Sequence, residues 1–136
     1  MSVIIVPCSG IGKTYGTVTR EAAYLVVDEL RPDGTQIVPL SLLVLGDRDA
    51  QAAVRDAQVI TLDGCKLACA TVNVSQAGGA AAREFIVLDC YRRNKQLKPQ
   101  GIAELNEGGL ALARALAEEV AQAAAELEER VGKEGN

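Results

Sequence analysis

The chain contains no histidine, and aromatic residues are only 3% of its 136 positions. Lacking histidine, it cannot form His-based zinc hydrolase sites, Cys–His nucleophile pairs or Ser–His triads. Also missing are the two C-x2-C knuckles of a zinc ribbon and the C-x-x-C of a dithiol exchanger. No apolar run approaches the ~20 residues of a membrane span. Val3–Val6 is too short for the hydrophobic core of a signal peptide and has no basic flank. These absences predict a cytoplasmic protein with no membrane partner. A basic face is lacking too: 14 Lys and Arg against 18 Asp and Glu leave a net charge of −4, which argues against nucleic acid as a partner. The one basic cluster, Arg92-Arg93-Asn94-Lys95 with Lys98, is short and reads as a solvated loop or local charge compensation.

What is present is aliphatic. Apolar residues make up 49% of the chain, most of them Ala, Val and Leu, and suit helices packed closely on a parallel sheet. The length fits one domain with its own core. Ser2–Pro7 reads as a first strand, continuous in apolar character and so buried on both faces. A glycine-rich turn over Cys8–Gly16 leads to a helix through about Leu30, with Thr17 or Thr19 as its cap. Arg31-Pro32-Asp33-Gly34 is a turn, and Gln36–Leu40 a second strand that Pro39 marks as short or at an edge. Leu42–Leu45 fits either a strand or a buried loop. Asp47 or Asp49 caps a short helix to about Asp56. Gln58–Leu62 is a third strand, Lys66–Gln76 a helix stopped by Gly78-Gly79, and Arg83–Asp89 a fourth strand. A loop from Tyr91 to Gly101 precedes a long helix over about 102–131, irregular at Gly108-Gly109, with a frayed tail over 132–136. Leu105, Leu112, Leu116, Val120, Ala123, Leu127 and Val131 form its apolar stripe. This order predicts a single domain over 1–136. Its fold class is α/β, a Rossmann-like three-layer α/β/α arrangement with a mainly parallel sheet of about four strands.

The four cysteines carry the chemistry. Cys8, Cys65 and Cys90 each follow an apolar strand-like run, and Cys69 lies four residues past Cys65. Parallel strands bring their carboxyl ends to one edge, where ligand sites form. Cys65 and Cys69, one helical turn apart, would share a face, and Cys8 and Cys90 would complete a tetrahedral thiolate shell suited to zinc. In a reducing cytosol, four cysteines point to metal or redox chemistry more than to disulfides. Three other readings stay open. Cysteine also packs as a small buried hydrophobe. Cys65 at a helix N-terminus would be a lowered-pKa nucleophile for redox or sulfur transfer, with Cys69 or Cys8 resolving. Four thiols can also hold an iron–sulfur cluster.

Gly10-Ile11-Gly12-Lys13-Thr14 ends as a P-loop does, but Pro7 stands where the motif's opening glycine belongs. The dinucleotide pattern would need glycine in place of Tyr15. A tight strand-to-helix turn is the better reading, able to offer backbone amides to a thiolate or small anion. Lys13, Lys66 and Arg92 each lie near a cysteine and would offset thiolate charge, or are ordinary surface cations. Asp63 and Asp89 precede Cys65 and Cys90 as acceptors behind the ligands, substitute ligands or caps, and Asp63 reads best as a cap.

The run Leu62-Asp63-Gly64-Cys65-Lys66-Leu67-Ala68-Cys69-Ala70 resembles the DGC-domain family, named for its Asp-Gly-Cys motif. Cys8-Ser9-Gly10-Ile11-Gly12-Lys13 and Leu88-Asp89-Cys90 are similar to that family's pattern too, so the resemblance spans nearly the whole chain. It implies a small α/β domain whose cysteines bind zinc, and it brings no established reaction. The ligands it implies are Cys8, Cys65, Cys69 and Cys90. Metal handling, sensing or a zinc-dependent reaction is the expected role, the metal ion is the expected partner, and a homodimer stays open.

Overall fold

Every residue of Val3–Pro7 and of Val59–Asp63 is buried. A strand alternates its side chains between two faces, so it is buried throughout only where both faces are covered. The computed structural model describes residues 3–8, 13–64, 67–102 and 104–134, with the side chains of 131–134 excepted. In it these two runs are the central strands of a four-stranded parallel sheet. The strands are β1 (Val3–Pro7), β2 (Thr35–Ile37), β3 (Val59–Asp63) and β4 (Ala81–Ile86), in the order β2-β1-β3-β4. The α/β three-layer expectation holds.

From β1 the chain crosses to β2 on one side and then returns to β3 on the other. The winding therefore reverses between β1 and β3, and such a switch point leaves a crevice outside the carboxyl ends of the two strands. Val3, Ile5, Ile60 and Leu62 belong to the core beneath helices α1 (Thr14–Leu25) and α6 (Glu107–Glu134). Ile4, Val6 and Val59 belong to a second core that includes Val54 of α3 (Arg48–Asp56) and Val74 of α4 (Cys69–Gln76). Leu112, Leu116, Val120, Ala123 and Leu127 of α6 are buried in the first core, as their spacing predicts. The expected end of that stripe, Val131, lies outside the described side chains.

Several local expectations are corrected. Thr17 and Thr19 do not cap α1, which starts at Thr14 with Lys13 in the cap position. Both lie inside the helix, their hydroxyls bonded to carbonyls, Thr17 to Ile102 and Thr19 to Gly16 at 2.6 Å. α1 runs on into a π-helical turn, Val26–Leu30, so the predicted end near Leu30 is right. The second strand is confined to Thr35–Ile37, and Pro39 opens the short helix α2 (Leu40–Leu45), closed by Gly46 at φ +78°. Asp47 caps α3, accepting the Ala50 N–H at 2.9 Å.

The fourth strand stops at Ile86, and Leu88-Asp89-Cys90 lies in helix α5 (Val87–Arg93). Ile86 pairs with Asp63, the last residue of β3, so beyond it the chain has no neighbouring strand. Asp89 in the first turn and Arg92 and Arg93 in the last match the helix dipole. The long helix begins at Glu107, not near Ile102. No helix among the described residues is long and apolar enough to cross a membrane.

Candidate metal centre at the β1–β3 edge

β1 ends at Pro7, whose ring cannot donate to a ladder. Cys8 follows it and gives its own N–H to Leu62 O at 2.8 Å, which carries the pairing with β3 one residue further. This fixes the half-buried Cys8 side chain at the mouth of the crevice. Its Sγ accepts the Gly64 N–H at 3.3 Å and lies 3.7 Å from Thr19 Oγ1.

β3 ends in Asp63, only 2% exposed. Its Oδ1 accepts the Ala70 N–H at 2.7 Å, and its Oδ2 accepts the Thr71 N–H at 3.3 Å and the Thr71 hydroxyl at 3.1 Å. Asp63 is thus a cap, as expected, but the helix it caps, α4, begins six residues further on, at Cys69. α4 itself starts at Cys69 rather than Lys66, which lies outside the described residues. The residue in its cap position, Ala68, is left-handed at φ +52°, a region L side chains rarely occupy.

Cys8, Asp63, Gly64 and Cys69 line one cavity of about 560 Å³. Lys13, Thr14, Tyr15 and Gly16 from the start of α1 form a second wall, and Leu40, Leu67 and Pro99 make it largely apolar. Lys13, in the cap position of α1, makes no side-chain cap bond to the helix, and its cation and the positive end of the helix dipole lend positive potential to the wall they share. The thiols of Cys8 and Cys69 are both free, the first half-buried and the second exposed. These are soft donors of the kind zinc takes. Among the described residues, no three Cys, Asp or Glu side chains meet closely enough to hold a metal ion. Cys65, the expected central ligand, lies outside the described residues, directly after Gly64 in the chain.

Cys90 is placed elsewhere. It is fully buried in the core under α1 and α6, whereas Cys8 packs against the core on the other face of the sheet. Its thiol donates to Glu119 Oε2 at 3.2 Å, and Arg93 holds Glu119 Oε1 at 2.8 Å. Burial first, then the bond to Glu119 and its negative charge, push the Cys90 thiol up to about 12. It is not among the residues lining the cavity. Arg92 is likewise engaged away from it, 3.6 Å from Asp89 on α5. Of the predicted glycine turn, residues 9–12 lie outside the described residues and Gly16 is part of α1.

Sequence reasoning did not find Thr71, Tyr15, Leu40 or Pro99. Thr71 carried a usable signal, a hydroxyl two residues past Cys69 within the first turn of the helix. The others reach the cavity only through tertiary packing.

No curated protein and no solved structure matches the chain significantly. The profile of the DGC domain matches residues 4–123, a range that takes in both described thiols of the cavity and the Asp63-Gly64-Cys65 motif. The chain therefore belongs to the DGC domain family.

Proposed function

We propose that this is a cytoplasmic zinc-binding protein whose site is a set of cysteine thiolates at the β1–β3 edge. The observation that carries this reading is that Cys8 and Cys69, on different elements, open onto one cavity at the switch point of the sheet. Cys65 is the third ligand in this proposal; in the chain it directly follows Gly64, which lines the cavity. Its Asp-Gly-Cys context and the membership in the DGC family support the assignment. Cys90 was expected to complete a four-thiolate shell. Its burial and its bond to Glu119 favour a set of three.

Three protein ligands leave a fourth position open toward a largely apolar cavity, an arrangement suited to metal transfer, sensing or Lewis-acid chemistry rather than to stapling the fold. Bound there, zinc would polarise an oxygen or thiol ligand at that position. The test is metal content and absorbance of protein purified under reducing, anaerobic conditions. Near-stoichiometric, colourless zinc that is lost in Cys8→Ser and Cys69→Ser is the expected result. Iron with a brown chromophore, or no metal, would overturn the reading.

A further inference from the structure

We propose that Asp63 is a positioning residue and not a metal ligand: its carboxylate clamps the first turn of α4 to the end of β3 and so sets Cys69 against Cys8. This rests on the thiolate reading above and adds the residue that preorganises its site.

Both carboxylate oxygens are already in use. Oδ1 takes the Ala70 N–H at 2.7 Å, and Oδ2 takes the Thr71 N–H and hydroxyl at 3.3 and 3.1 Å. The single Thr71 hydroxyl proton goes to the carboxylate, so at 2.7 Å Thr61 is the donor and Thr71 the acceptor. A chain of bonds thus runs from Thr61 inside β3 through Thr71 to Asp63 at its end.

The residues held are the second and third of α4, and Cys69 is the first. Ala68, in the cap position, has no side-chain acceptor, so the cap comes from the strand. Cys8 is referred to the same strand end, through Leu62 O and the Gly64 N–H. The two thiols therefore keep their separation because both are tied to residues 61–64. Turning the carboxylate toward a metal would strip the Ala70 and Thr71 N–H groups of their acceptor, and Ala70 is fully buried. Partners that orient a metal's ligands in this way typically contribute 10–100-fold in affinity.

The probe is cobalt(II), titrated into the full chain with its thiolate-to-metal absorbance followed, beside amide hydrogen exchange of the metal-free protein. Asp63→Asn is expected to weaken cobalt binding at least about ten-fold and to lower the absorbance to that of Cys69→Ser. Ala70 and Thr71 should lose exchange protection while the later turns of α4 keep theirs. Thr71→Val, which spares the carboxylate should Asp63→Asn fail to fold, is expected to change in the same direction by less. Thr71→Ser should restore wild-type behaviour. Unchanged cobalt affinity in both Asp63→Asn and Thr71→Val would overturn the proposal. So would Asp63→Asn binding that is weaker but has full thiolate absorbance, since that is the signature of a lost oxygen ligand. If wild-type protein shows no thiolate–cobalt absorbance, the zinc reading fails and exchange alone decides the clamp: protection lost at Ala70 and Thr71 in Asp63→Asn supports it, and protection retained overturns it.

Discussion

The backbone N–H of Gly64 points at the sulfur of Cys8 from 3.3 Å, joining the Asp-Gly-Cys motif to a thiol just past the end of the neighbouring strand. That approach needs room for α1 as well. A Cβ on Gly64 would lie 3.1 Å from Tyr15 Cβ, 3.2 Å from the Tyr15 carbonyl carbon and 3.3 Å from Gly16 N. Two of those atoms are backbone, so the first turn of α1 has to yield. Gly64→Ala is expected to destabilise the fold by about 1–3 kcal/mol, read as a lower denaturation midpoint in urea. Unchanged stability would mean that α1 is free to shift.

Cys90 is expected to be the inert thiol. Its pKa is raised to about 12 in the fold, chiefly by burial and then by Glu119. An acid whose folded pKa lies above its unfolded value adds stability that is whole below the unfolded pKa, about 8.5, and is lost as pH rises toward 12. Stability should therefore fall over that alkaline range, and Cys90→Ala should flatten the fall. Glu119→Gln removes the negative charge but neither the burial nor an oxygen that can accept from the thiol, so it should bring the Cys90 pKa down only part of the way. Mass spectrometry after brief iodoacetamide treatment at neutral pH should find Cys8 and Cys69 alkylated and Cys90 untouched. Rapid labelling of Cys90 would contradict its placement.

Ala68 carries backbone strain beside a proposed ligand. At φ +52° and ψ +47° an L residue lies about 1–2 kcal/mol above its right-handed form. Glycine has no such penalty but loses more freedom on folding. Ala68→Gly is expected to raise stability by about 0.5–1 kcal/mol, measured in the same urea titration. Marked destabilisation would show that the alanine methyl contributes packing worth more than the strain.

The sheet was legible because its central strands are dominated by β-branched and apolar residues; Ile4–Val6 and Val59–Leu62, the latter broken only by Thr61, admit little else. The end of β4 was misjudged for a physical reason. Phe85–Leu88 continues in apolar character, but the ladder stops where β3 stops, and that partner lies far away in sequence. Cys90 inherited the error, placed at a strand end when it sits in a helix facing Glu119. The acid-then-base order of Asp89 and Arg92-Arg93 was the available signal for that helix. The cap of α1 was misread because Thr17 and Thr19 satisfy their hydroxyls on carbonyls within the helix or across from it, which no local pattern announces. The role of Asp63 was legible in kind, while its partners Ala70 and Thr71, seven and eight residues away, required the tertiary fold.

Zinc K-edge X-ray absorption on the as-purified protein and its single Cys→Ser variants tests the central claim most directly. A thiolate site at the β1–β3 edge predicts a sulfur shell at about 2.3 Å. That shell should lose one sulfur in Cys8→Ser and in Cys69→Ser and be unchanged in Cys90→Ser. A shell of nitrogen and oxygen only, or one that loses a sulfur with Cys90, would contradict the account.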